Sequence, residues 1–205
     1  MSKLFTIGYS GLDSAGFVKL LQANDVNVVC DVRSSPYSTY KPDFSRGPFR
    51  AFLNESDIKY AFMGDQLGAR PKDRTCYVGS QATYERIAAT QPFKKGLERL
   101  RLGVKQLNLA LVCSERDPIE CHRALLICRN LPDLRTVISH IHTDGKIETQ
   151  DQFDERLVQY HNSAPPPLFR VPKDWEKSVS LAYERQGRAI AYREPDNDKK
   201  QGEDE

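Results

Sequence analysis

Two segments, 26–32 and 107–113, are apolar at nearly every position, reading Val-Asn-Val-Val-Cys-Asp-Val and Leu-Asn-Leu-Ala-Leu-Val-Cys. A strand with one wet face alternates between apolar and polar residues. A strand covered on both faces does not, and such strands belong to parallel sheets with helices on either side. Between these runs lie segments with helical spacing. Phe17, Val18, Leu20 and Leu21 follow a Ser14 cap, and helices are expected near Ala82–Ala89 and Phe93–Lys105. Further strands are expected at Leu4–Ile7, Ile58–Met63 and Thr136–Ile141. Shorter helices are expected at Pro48–Leu53 and Phe153–Tyr160. Asp117-Pro-Ile-Glu carries a cap residue, a first-turn proline and a Glu three positions on, which predicts a helix from there to about Leu131. Strands alternating with helices give an α/β layered fold with a mostly parallel central sheet flanked by helices.

The 205 residues suffice for one well-buried core. The pattern divides into an α/β domain over 1–163, a Pro-rich connection with a C-terminal helical extension over 164–193, and a charged, apolar-free tail over 194–205 that is expected to be disordered. The segment after Pro167 is expected to be dispensable for any site. A net charge of +2 does not by itself point to nucleic acid. No apolar run approaches the roughly 20 residues that a membrane span needs, so no membrane partner is expected. The chain enters a strand pattern at once, and its five cysteines form no dense framework. Reduced thiols in the cytoplasm are the expectation.

In open α/β sheets ligands bind outside the carboxyl ends of the strands. Those ends carry Gly8-Tyr-Ser10-Gly, Asp31-Val-Arg33-Ser34-Ser, Cys113-Ser-Glu115 and His140-Ile-His142-Thr-Asp. The densest stretch is Cys113-Ser-Glu-Arg-Asp-Pro-Ile-Glu-Cys121-His122-Arg123. A thiol at a helix start feels the positive end of the dipole, and a neighbouring arginine adds to it, so both favour the thiolate. Cys113, Cys121 and His122 are the candidate catalytic residues. Ser10, Asp31, Arg33, Ser34, Arg70, Glu115, Arg123 and His142 are the candidate ligand-binding residues. Several have a plainer reading. Cys121 shares a helical face with Ala124, Leu125 and Cys128 and can be core, and Asp31 with Arg33 can be a structural ion pair.

The leading expectation is a small enzyme acting on a small anionic, phosphate-bearing or nucleotide-like ligand, with no cofactor identified. The phosphatase pattern of Cys, five residues, then Arg is absent, since Ile119 stands sixth after Cys113. Walker and Rossmann glycine patterns are absent too. One alternative is a nucleic-acid-binding module. Loops 33–50 and 64–74 interleave Arg33, Lys41, Arg46, Arg50, Arg70, Lys72 and Arg74 with Tyr37, Tyr40, Phe44 and Phe49. The other is a zinc site using Cys113, Cys121, His122 and one of His140 or His142. The seven-residue gap between the cysteines is not a standard knuckle spacing, and no metal ligand is assigned.

Five pieces occur in a fixed order: Thr6-Ile-Gly-Tyr-Ser, Asp31-Val-Arg-Ser-Ser-Pro with Phe44-Ser downstream, Leu67-Gly, Cys113-Ser-Glu…Cys121-His-Arg, and His140-Ile-His-Thr-Asp-Gly. Together, over about residues 4–146, they resemble the bacterial family catalogued as domain of unknown function 488. That family's usual first motif has His where this chain has Tyr9. The resemblance implies an α/β domain with its site at these motifs, and no activity.

Overall fold

Residues 2–163 and 171–195 are described by a computed structural model. The Ala164-Pro-Pro-Pro stretch and the charged tail beyond Pro195 lie outside the described residues. The strands are β1 (Leu4–Gly8), β2 (Val28–Asp31), β3 (Lys59–Phe62), β4 (Tyr77–Val78), β5 (Gln81–Ala82), β6 (Leu109–Cys113), β7 (Ile138–Ile141) and β8 (Ile147–Thr149). The helices are α1 (Ser14–Gln22), α2 (Arg46–Glu55), α3 (Gly64–Leu67), α4 (Tyr84–Ala89), α5 (Gln91–Val104), α6 (Gln150–Tyr160) and α7 (Pro172–Ile190). The main sheet has the order β3-β2-β6-β1-β7-β8. It is parallel throughout except for β8, which is antiparallel to β7. This is the layered, mostly parallel α/β architecture that the continuous apolar runs predict.

Side chains alternate across a pleated strand, so each buried strand feeds two cores. Leu4, Val28, Cys30, Leu109, Leu111 and Ile138 face one side, where α3, α4 and α5 supply Leu67, Ile87, Phe93, Leu97 and Leu100. Phe5, Ile7, Val29, Ala110, Val112 and Ile141 face the other, against Phe17 and Leu21 of α1 and Phe49 and Leu53 of α2. A third cluster is distinct from these two. It joins Ile119, Ala124 and Leu125 to Phe153, Leu157 and Val158 of α6 and to Val179, Ala182 and Tyr183 of α7. No helix among the described residues is long and apolar enough to cross a membrane.

One buried base sets a pH dependence. His140, on β7, is fully buried, with Nδ1 2.8 Å from Thr6 Oγ1. The same Thr6 hydroxyl accepts from Arg123 Nε at 3.3 Å, and His140 Nε2 is buried without a partner among the described residues. Burial pushes this imidazole down to about 3, against an unfolded value of about 6.5. As pH falls through that interval the unfolded chain takes up a proton that the folded chain refuses. Stability is therefore lost on acidification, by up to about 1.4 kcal/mol per pH unit. Urea midpoints of wild type are expected to fall between about pH 6.5 and 5.5, before the carboxylates titrate, and those of His140→Gln to stay flatter there. Equal slopes would show that His140 is protonated in the folded protein.

Candidate functional site

Close backbone approach brings the strand ends together. A β-carbon at Gly8 would overlap the Glu115 carbonyl oxygen, so only glycine lets the 114–117 loop pass directly over the end of β1. The same holds at Gly64, under the Arg33 carbonyl. Tyr9 and Ser10 then donate their N–H groups to the Cys113 and Ser114 carbonyls at 3.2 and 3.1 Å.

The single helix expected from Asp117 to Leu131 is in fact divided. Asp117 does cap, accepting from Ile119 N–H at 2.9 Å, and Pro118–Glu120 forms one 3₁₀ turn. Cys121 is extended (φ −136°, ψ 139°) and interrupts the helix. Its carbonyl accepts from the N–H groups of both Ala124 and Leu125, and a wide π turn over Arg123–Ile127 follows. Arg123 explains the break. Its guanidinium reaches back to the Glu115 carbonyl (2.8 Å), the Arg116 carbonyl (3.1 Å) and Thr6 Oγ1 (3.3 Å), drawing the segment onto the strand ends. Local capping signals are overridden by that tertiary anchor, and π turns of this kind recur at functional sites.

The result is a compact polar cluster. Ligand atoms of Cys113, Glu115, Cys121 and His122 all lie within 4.8 Å of one another, so the two thiols meet across their seven intervening residues. Both are free. His122 Nδ1 is 3.7 Å from each sulfur, and His122 Nε2 is 3.1 Å from the Val32 carbonyl. A carbonyl only accepts, so Nε2 carries the proton and Nδ1 is the atom presented to the thiols. Cys121 Sγ is 3.1 Å from Glu115 Oε2, and Ser114 Oγ donates to Glu115 Oε1 at 2.8 Å. Burial opposes any charge here. Even so, donation from Cys113, the Arg123 charge and His122 bring the Cys121 thiol below its ordinary value. Cys113, as the donor of the pair, is pushed up. Cys30 is core, and burial, only partly offset by the Arg99 charge, pushes it up to about 12. Burial alone would lower His122, but the Cys121 sulfur and Glu115 raise it.

Above the cluster opens a cavity of about 380 Å³. Arg33, Ser34, Arg70, Cys113, Glu115 and His122 line it. Arg33 is 5 % exposed and is held by Asp31 through Nε (2.8 Å) and Nη2 (2.6 Å). Its Nη1 also donates to the Tyr9 hydroxyl at 3.3 Å. Asp31 itself is buried beneath the cavity and accepts from Tyr60 as well. It does not line the cavity, and the ion pair with Arg33 is formed. Ser34 Oγ accepts from the Arg70 N–H at 2.9 Å, which ties the two loops together. Cys121 and Arg123 lie behind the wall. Ser10 contributes its backbone to the strand ends rather than a side chain to the cavity.

His142 belongs elsewhere. Its Nε2 is 3.0 Å from Glu148 Oε2, in a network with Arg156 and Asp117. His140 is committed to Thr6. Neither belongs to the thiol cluster, and the group that completes it is Glu115. Phe44 and Phe49, read as nucleic-acid-binding aromatics, are core, with Phe44 stacked on Tyr9 at 4.4 Å. Tyr37 and Tyr40 remain exposed.

Sequence reasoning missed part of the wall: Tyr84, Ile190 and Tyr192. The last two run against the expectation that everything after Pro167 is dispensable for the site. Tyr192 lies under the Arg70 guanidinium (4.7 Å), and its carbonyl accepts from Ala82 N–H at 2.9 Å. No strand-end pattern marks these positions. Tyr84 comes in with α4, Ile190 with the end of α7, and Tyr192 through the pairing of its segment with β5.

A family model described as domain of unknown function DUF488 matches residues 14–129, which includes the Asp31 and Cys113–Arg123 motifs and excludes the Thr6 and His140 ones. No curated protein and no solved structure matches the chain.

Proposed function

We propose that this chain, which belongs to the DUF488 family, is an enzyme for a small phosphate-bearing, nucleotide-like substrate. One observation carries the reading. Two guanidinium groups, Arg33 and Arg70, share a single polar cavity with the sulfur of Cys113 and the ring of His122. Guanidinium forks match phosphate oxygens, and the Ser34 and Ser35 hydroxyls beside them add donors. Tyr37, Tyr84 and Tyr192 offer ring faces to a base or sugar, and about 380 Å³ suits a ligand of that size. Arg33, fixed by Asp31, orients the anion, and Arg70 closes on it from the second loop. The chemistry falls to the cluster of Cys113, Cys121 and His122 at the floor.

Arg70 is exposed, so it can be changed without disturbing the core. Calorimetric titration is expected to show binding of a nucleoside monophosphate and of inorganic phosphate, with the unphosphorylated nucleoside much weaker. Arg70→Gln is expected to weaken the monophosphate about tenfold, the loss of one charge-assisted contact of roughly 1.5 kcal/mol. Indifference to the phosphate, or to Arg70→Gln, would sink the reading. A single-stranded oligonucleotide binding far more tightly than the monophosphate would replace it with a nucleic-acid interface.

A further inference from the structure

We propose that Cys113, Cys121 and His122, with Glu115 as the fourth ligand, form a zinc site at the floor of the cavity. The proposal rests on the cluster alone and does not require that the cavity bind phosphate.

Geometry is the first argument. Zinc bonds of about 2.3 Å to sulfur and 2.0–2.1 Å to nitrogen, set tetrahedrally, place sulfur and nitrogen about 3.6 Å apart. The two sulfur–Nδ1 separations are both 3.7 Å. A tetrahedral sulfur–oxygen edge is about 3.5 Å. Cys121 Sγ and Glu115 Oε2 stand 3.1 Å apart and need to open by only a few tenths of an ångström. At that separation two acidic groups must have a proton or a cation between them.

The surroundings are the second argument. A ligating histidine donates its other ring N–H to a carbonyl or carboxylate, which fixes the tautomer and aims the free nitrogen at the metal. His122 does this through Nε2 and the Val32 carbonyl. Arg123 supplies the rest. Its guanidinium is 0 % exposed and forms no ion pair with a carboxylate among the described residues. Its hydrogen bonds go to a hydroxyl and two carbonyls. A buried cation needs an anion nearby, and the adjacent Cys121, Cys113 and Glu115 groups are where that negative charge sits. When zinc binds, both thiols give up their protons to solvent. Zn²⁺, two thiolates, one carboxylate and a neutral imidazole then sum to one negative charge, and Arg123 cancels it. Thiolate and imidazole donors select zinc over magnesium or calcium.

Position gives the site its use. Cys113, Glu115 and His122 line the cavity whereas Cys121 lies behind it, so the ion would face the ligand. Glu115, the hardest of the four donors and one that lines the cavity from a loop, is the ligand a substrate oxygen or water can displace.

The test uses the full-length reduced protein. Elemental analysis is expected to find about one zinc per chain, and cobalt(II) replacement to give intense thiolate-to-metal charge-transfer and tetrahedral d–d bands. Cys113→Ser and Cys121→Ser should lose both, Glu115→Gln should bind zinc at least about tenfold more weakly, and Cys30→Ser should be unchanged. Because a cysteine variant can fail to fold, wild type provides a separate readout. In timed alkylation read by mass spectrometry, Cys113 and Cys121 should be protected until a chelator is added, and Cys30 and Cys128 should be inert throughout. Folded wild type with no zinc after zinc supplementation and no cobalt–thiolate band would overturn the proposal, as would alkylation of Cys121 that ignores the chelator. Iron in place of zinc would overturn the choice of metal. Zinc without phosphate binding would defeat only the proposed substrate, and phosphate binding by a metal-free protein would defeat only the zinc site.

Discussion

Asp31→Asn is expected to destabilise the protein by roughly 3–5 kcal/mol, the cost of breaking a buried ion pair from one side. Asp31 is 0 % exposed and accepts four hydrogen bonds: from Arg33 Nε, Nη2 and backbone N–H, and from the Tyr60 hydroxyl. Asparagine keeps the shape but turns an NH₂ group toward donors and removes the countercharge. Arg33 would remain packed over the Tyr9 and Phe49 rings with its charge unpaired. Asp31→Asn combined with Arg33→Met removes both charges and is expected to cost much less than the sum of the single changes, because nothing charged is left stranded. Both variants should weaken anion binding, the first through a guanidinium that Asp31 no longer aligns and the second through an absent one. Urea unfolding at neutral pH, taken through the full double-mutant cycle, measures the coupling. If Asp31→Asn lies within about 1 kcal/mol of wild type, Arg33 is solvated and the fixed-anchor role fails.

Asp31 also shows what was legible beforehand. A carboxylate interrupting an otherwise apolar run marks the point where a buried strand meets the site, and Cys113 marks it on β6 in the same way. The parallel sheet followed from the same runs, since a strand buried on both faces leaves no alternation. Other features left no such mark. Phe44 and Phe49 have the composition of a nucleic-acid loop, and only the stack of Phe44 on Tyr9 and the contacts inside the second core show that they are buried structure. Strands β4, β5 and β8, of two or three residues, are too short to carry a period. The break at Cys121 was invisible because Asp117 and Pro118 signal a helix start correctly, and the interruption comes from Arg123 reaching the Glu115 and Arg116 carbonyls. Glu115 went unrecognised as the partner of the thiols for a related reason. Histidines are the more familiar zinc ligands, and His140 and His142 stood at a strand end, but each is already held, by Thr6 and by Glu148.

Ending the chain after Ser163 is expected to abolish the cooperative fold, although the composition of the C-terminal segment suggests an appendage. Helix α7 buries Val179, Ala182 and Tyr183 against α6 and against Ile119, Ala124 and Leu125 of the segment that carries Cys121. Burying a Val or similarly large side chain contributes about 1.5–3 kcal/mol, and the partners uncovered on α6 and the 119–125 segment lose a comparable amount. Polar groups are stranded as well. The Tyr183 hydroxyl donates to Asp154 Oδ1 at 2.7 Å and accepts from Gln150 Nε2 at 2.9 Å, and Gln186 Nε2 donates to the Ile119 carbonyl at 3.0 Å. These losses together match the entire stability of about 5–15 kcal/mol that a domain has to spare. They fall on the segment that positions the cluster, so any residue of folded protein should also show a disordered Cys121. Ending the chain after Pro195 instead keeps every one of these contacts and is expected to leave the melting temperature where it is. Thermal unfolding followed by near-ultraviolet circular dichroism separates the two shortened chains. A sharp transition in the chain ended at Ser163, close to that of the full chain, would show that α7 rests on a core that is already complete without it.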